Sequence, residues 1–256
     1  SFSSAGERKG FNDPRGMLFY EIVRLVEEFK DRKPSVLILE NSPYLRVGDG
    51  GSWFLELSKN LKKLGYWFRE SNAIELNAFD FTSIPQNRNR LFMIAFSAKD
   101  FKNGRIKLEL EHDKTNKDLR SYIDFDGSLP DESYYLDQDN RYYQMISKTE
   151  KEEEPYCIYQ LRKYLVRAKL PGVCPTLTAN MGLGGHNVPF IFDKKGLRKL
   201  TEYECLKLQG FPNFFKFPDE VSRPKRYQQV GNSVVPLLIE KIAMAVKSKI
   251  IAERAQ

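Results

Sequence analysis

Cysteine and histidine are scarce in this 256-residue chain. Three cysteines stand at 157, 174 and 205 with no CxxC pair, and two histidines at 112 and 186. That inventory excludes a disulfide framework and a zinc-ligand pattern, and it fits a reducing compartment. No apolar run reaches the roughly 18 residues of a membrane-spanning helix, and the Ser/Gly-rich start is unlike a signal peptide. A soluble, intracellular chain with no metal site and no membrane partner is expected. Internal repeats are also lacking. What is present is 41% apolar residues, enough for a substantial core, and 41 Lys plus Arg against 34 Asp plus Glu. The resulting charge of +7 permits a polyanionic partner without requiring one.

The pivotal stretch is Lys33 to Ser42, where the apolar run Val36–Leu39 stops at Glu40-Asn41. It reads as a short buried strand that delivers a carboxylate and an amide to its C-terminal end, where ligands sit in open α/β sheets. Before it, Leu18, Ile22, Leu25, Val26 and Phe29 repeat at helical spacing and predict a helix over 17–30 with that face inward. After it, Gly48-Asp-Gly-Gly51 is a turn without nucleotide-fingerprint spacing, and Ser52 is placed to cap a helix carrying Phe54, Leu57, Leu61 and Leu64. Segments 66–72 and 73–77 read as extended.

In Gln86-Asn-Arg-Asn-Arg90, followed by apolar Leu91–Phe96, Arg88 and Arg90 are two apart. Strand geometry would aim both at one anionic or carbonyl-bearing target. Residues 98–155 turn polar and aperiodic, and Cys174–Pro189 is dense in Gly, Thr and Asn, as suits a loop close to a ligand. Thr201-Glu-Tyr-Glu204 is a capping box opening a helix through Leu208. Cys205 on it reads as a packing residue. Gln229–Pro236 leads into a last helix with Leu238, Ile242, Ala245 and Val246 inward.

These stretches, in this order, resemble the motif series of cytosine-5 DNA methyltransferases. Ser1–Phe19 is similar to the segment after that family's Pro-Cys-Gln nucleophile motif. Leu39-Glu-Asn-Ser resembles its Glu-Asn-Val, with Ser42 in place of Val, and Gln86–Arg90 its Gln-x-Arg-x-Arg. Arg198-Lys-Leu-Thr through Leu208-Gln-Gly-Phe-Pro, and Gly231-Asn-Ser-Val-Val-Pro, resemble its last two motifs, and Thr176-Leu177 a pair in its target recognition domains. The resemblance implies an α/β fold: part of a Rossmann-like S-adenosylmethionine-dependent methyltransferase sheet, with a small, irregular target recognition domain inserted. The expected division is a catalytic part over 1–97, the recognition domain over 98–197, and a return to the catalytic domain over 198–256.

The resemblance also assigns roles. Glu40 would meet N3 and the exocyclic amine of cytosine, Arg90 would meet O2, and Arg88 would orient Glu40, with Asn41 and Gln86 holding them. Asn232 and Ser233 would reach the carboxylate end of S-adenosylmethionine. Ser3 and Arg15, on a mobile glycine-rich loop 1–16, would contact phosphates, and Thr176, Asn180 and Asn187 would read duplex DNA. The nucleophilic cysteine is expected just upstream of Ser1, on an N-terminal part in the same or a second polypeptide. A cytoplasmic enzyme of bacterial or phage restriction-modification, flipping its target base, is implied. Two other readings stay open: a DNA-binding subunit without methyl transfer, and a tRNA cytosine-5 methyltransferase.

Overall fold

A computed structural model describes residues 10–106, 108, 110–127, 130–149, 156–162, 165–183 and 187–254, without the side chains of 12, 14, 15 and 254. Its elements are α1 (Pro14–Glu28), β1 (Val36–Asn41), α2 (Tyr44–Val47), α3 (Ser52–Lys63), β2 (Tyr66–Trp67), β3 (Ala73–Asn77), α4 (Ala78–Phe81) and β4 (Asn89–Ser97). There follow α5 (Arg141–Ser147), β5 (Tyr159–Leu161), β6 (Val166–Ala168), β7 (Pro189–Phe192), β8 (Leu197–Lys199), α6 (Glu202–Leu208), α7 (Arg223–Asn232) and α8 (Pro236–Arg254). The chain forms two compact units, one of Ser1–Asn77, Asn89–Glu109 and Ile242–Gln256, the other of Ala78–Arg88 and Leu110–Lys241. By compactness, residues 198–241 therefore group with the segment read as the recognition domain, and not with residues 1–77.

In the first unit β4 is the organising strand. Leu91–Phe96 is continuously apolar and buried, as a strand paired on both edges and covered on both faces must be. β1 pairs with it antiparallel from Val36↔Phe96 to Asn41↔Leu91, and β3 pairs antiparallel from Ala73↔Met93 to Asn77↔Asn89. β1 and β3 thus run parallel to each other, with α3 between them in sequence. Leu91, Met93 and Ala95 face a core built with Phe19, Val26, Trp53, Leu57 and Leu61.

Three expectations are corrected here. β1 is not buried on both faces: it is the edge of the described sheet and Ile38 is 39% exposed. Apolar runs mark a strand without revealing whether a second neighbour covers it. In α1 the buried face is Phe19 and Val26, with Ile22 and Val23 packed beside them, while Leu18, Leu25 and Phe29 are exposed. The helix carries apolar residues on two sides, and the one that turns inward brings Phe19 and Tyr20 into tilted ring contact with Phe11. Ser52 is the first residue of α3 and makes no cap; its hydroxyl donates to Asp49 in the preceding left-handed turn.

The second unit holds the antiparallel sheet β6-β5-β7-β8. One cluster on it gathers Ile146, Tyr159, Leu161, Phe190 and Leu197, and a second gathers Leu119, Ile123, Leu177, Leu206, Leu208 and Tyr227. α6 opens with the expected capping box: Thr201 Oγ accepts from the Glu204 amide, and Glu204 accepts from the Thr201 amide. Arg198, fully buried, donates to Asp193 at 2.6 Å and to both oxygens of Glu204 at 2.8 Å, and so ties β8 to α6. Helix α8 buries Leu238, Ile242 and Val246, with Ala245 half-buried, as the periodicity predicts. No helix among the described residues is long and apolar enough to cross a membrane.

Candidate functional site

In the first unit the C-terminal ends of β1 and β3 meet the N-terminal end of β4. Glu40 lies opposite Phe92, and Phe92 and Arg90 share a face because they are two apart. Glu40 and Arg90 therefore stand diagonally on one face at the sheet end, where Arg90 Nε pairs with Glu40 Oε1 at 3.0 Å. Both are partly exposed, at 21% and 27% of their side chains, so the pair is open to a ligand. Arg90 Nη1 donates to the carbonyl of Asn89. Burial pulls the Arg90 guanidinium below its usual value, and the Glu40 charge offsets part of that pull. A carboxylate and a guanidinium side by side offer acceptor, donor and positive charge to one polar planar ligand.

Arg88 behaves differently. It is buried in the second unit, where it donates to the carbonyls of Leu177 at 2.9 Å, Gly231 at 3.0 Å and Ser233 at 2.7 Å. The expected joint aim of Arg88 and Arg90 gives way to two separate tasks. Arg88 precedes β4, so the strand alternation that suggested a shared target does not apply to it. Gln86 accompanies it: its Nε2 donates to Leu208 O and Gln209 Oε1, and its Oε1 accepts from the Leu177 amide. Thr176 is fastened to the same segment, its hydroxyl donating to Asn87 O at 2.6 Å.

Of the remaining expected contacts, Asn180 is exposed and accepts from Thr178 at 2.7 Å. Asn187 is buried with a left-handed backbone, and its side-chain oxygen accepts from Arg162. A buried amide already engaged in this way is poorly placed to read a base, so Asn187 reads as a support for the turn. Asn232 is exposed at the C-terminal end of α7. The Ser233 hydroxyl donates to Val230 O and keeps its lone pairs. An amide that both donates and accepts, at a helix end that favours positive charge, matches an amino-acid end group carrying ammonium and carboxylate. Ser3, the side chain of Arg15 and most of the loop 1–16 lie outside the described residues.

All three cysteines are buried, and burial pushes the thiols of Cys174 and Cys205 up. None resembles a thiolate nucleophile, which needs an exposed, electropositive setting. Cys205 is the packing residue its helical position suggested. Sequence reasoning missed Gln209, fully buried and donating to Ser233 O at 3.0 Å. A signal was present: a polar amide directly after the apolar face of α6.

The family model for C-5 cytosine-specific DNA methylase matches residues 1–248. The type II methyltransferase M.Bsp6I of Bacillus sp. (strain RFL6) is 40% identical over 245 residues, covering 95% of this chain and 74% of that protein. M.HhaI of Haemophilus parahaemolyticus is 30% identical, over 98% and 73%. M1.ScrFI of Lactococcus lactis subsp. cremoris is also 30% identical, but the chain spans 58% of its length. Among solved structures, the methyltransferase EhMeth of Entamoeba histolytica superposes with a TM-score of 0.63 at 21% identity, over 95% of this chain and 72% of that one. The Dnmt2 methyltransferase of S. pombe gives 0.62 at 16%, over 96% and 74%. These two establish the shared methyltransferase fold. With its motif series and these relatives, the chain belongs to the C-5 cytosine-specific DNA methylase family, whose enzymes methylate cytosine in DNA from S-adenosylmethionine.

Proposed function

We propose that this chain binds a cytosine flipped out of duplex DNA between Glu40 and Arg90 and presents it for methylation at carbon 5. The observation that carries the reading is the Glu40–Arg90 pair on one face of the sheet end. Carbon 5 of cytosine is a weak nucleophile. Addition of a thiolate at carbon 6 activates it and pushes charge toward N3 and O2. Glu40 is suited to the N3 and amine edge, sharing a proton with N3, and Arg90 is suited to the charge growing on O2. Neither group can reach a base stacked inside a duplex, so extrusion of the base is part of the reading.

S-adenosylmethionine supplies an electrophilic methyl group. Asn232 and Ser233 are the residues of this chain suited to hold its amino-acid end. Arg88 and Gln86 act at one remove, fixing the main chain around Leu177 and Ser233. Thr176 and Asn180 are the candidates for duplex contacts. The buried state of Cys157, Cys174 and Cys205 supports the reading that the thiolate is supplied by an N-terminal part, in the same or a second polypeptide. The names of the type II relatives favour a bacterial restriction-modification setting.

The test is Glu40→Gln in the active methyltransferase, scored by methyl incorporation into duplex DNA with a tRNA arm alongside. A fall of about 10²–10⁴-fold with duplex binding retained is expected. Unchanged methylation would remove Glu40 from the chemistry, and incorporation into tRNA alone would replace the substrate.

A further inference from the structure

Within the second unit, two segments given separate tasks above are joined by one buried set of amides. Gln209 on the turn after α6 donates to the Ser233 carbonyl at 3.0 Å and accepts from Gln86 Nε2 at 2.8 Å. Gln86 in turn accepts from the Leu177 amide at 3.1 Å, and Arg88 donates to Leu177, Gly231 and Ser233. Gln86 and Gln209 are fully buried and Arg88 nearly so. Backbone contact closes the set: a Cβ on Gly231 would lie 2.3 Å from the Ala179 nitrogen and from the Thr178 carbonyl carbon. Segment 176–180 and segment 231–233 therefore cannot shift independently without leaving buried donors or acceptors unpaired, a costly outcome in a dry interior.

We infer that Gln209 is a positioning residue that couples the duplex-contacting segment 176–180 to the cofactor-contacting segment 231–233, so that occupancy of either site strengthens the other. The inference rests on the assignments made under Proposed function. Coupling between two ligands is reciprocal, which makes it measurable from either side. It also separates positioning from plain stability, because a residue that only holds the fold together has no reason to alter a ratio of affinities.

The experiment measures duplex affinity by fluorescence anisotropy with and without S-adenosylhomocysteine. The active methyltransferase is used, with a duplex carrying the sequence it methylates, read by bisulfite sequencing. In the wild type, S-adenosylhomocysteine tightens the duplex about five-fold or more. Gln209→Leu brings that ratio close to one and raises KM for duplex and for S-adenosylmethionine together. Thr201→Ala, which loosens the start of the same helix, keeps the wild-type ratio.

A wild-type ratio retained in Gln209→Leu overturns the inference, as does a wild-type ratio of one. Where Gln209→Leu fails to fold, Gln209→Glu carries the test, since it still accepts from Gln86 but cannot donate to Ser233. A ratio near one then supports coupling, and an unchanged ratio removes it. Asn180→Ala should weaken duplex binding alone, and Asn232→Ala S-adenosylhomocysteine binding alone. Failure of both overturns the site assignments and the inference with them, whereas their success with an unchanged Gln209→Leu ratio sinks only the coupling.

Discussion

Arg198 shows what one residue carries in this fold. Its guanidinium is buried against Asp193 and Glu204, and also donates to Asp124 O. Removing it leaves two buried carboxylates without their cation. Arg198→Met should destabilise the second unit by about 3–5 kcal/mol, read from urea unfolding. Asp193 adds a pH dependence. Burial pushes its carboxyl up, but hydrogen bonds from Arg198, Lys195 N, Tyr135 and Gly196 N outweigh this and hold it below the usual carboxylate value. A depressed folded value means the stabilisation is complete above the unfolded value, near 3.9, and is lost as pH falls through the folded one. Asp193→Asn should flatten the acid limb of a stability–pH curve, and an unchanged limb would show that other carboxylates set it. The place of Glu40 at the end of β1 was legible in the sequence at this scale, because an apolar run ending in Glu-Asn is a local signal. The partners of Arg88 were not, since its carbonyl acceptors lie 89 to 145 positions away.

At the scale of elements, legibility followed local chemistry. The Thr201–Glu204 capping box is a four-residue signal and stands as read. α7 was not legible as a helix, because its mean character is polar and few of its residues are buried. Strands β5 to β8 have three or four residues each, too short for alternation to stand out from the surrounding loops. The face of α1 was misread because two apolar sets fit helical spacing. That assignment has a direct check. Phe19→Ala should cost about 3–5 kcal/mol, whereas Leu18→Gln and Leu25→Gln should stay within roughly ±0.5 kcal/mol. Equal losses from thermal unfolding of all three variants would mean both faces are covered in solution.

Over the whole molecule, the excess of seven positive charges is not spread evenly. The β5–β6 hairpin places Arg162, Arg167 and Lys169 near one another, and burial followed by the two arginines draws the Lys169 ammonium below its usual value. Like charges held together suit a phosphate backbone. If the hairpin meets DNA, each of Arg162→Ala, Arg167→Ala and Lys169→Ala should lower the slope of log affinity against log salt by about one. Slopes equal to wild type would take the hairpin off the duplex.

The buried amide set has a consequence for how such an enzyme changes over time. What Gln86, Arg88 and Gln209 grip in segments 176–180 and 231–233 is main chain throughout: Leu177 N and O, Gly231 O and Ser233 O. Carbonyls belong to every residue type and amides to every type but proline. The exposed side chain of Asn180 can therefore be exchanged, by drift or by grafting from a relative, while the grip that positions it stays intact. On the duplex-contacting role proposed for this segment, the scaffold separates holding it from deciding what it reads, so that one exchange at Asn180 should change target preference without loosening the fold.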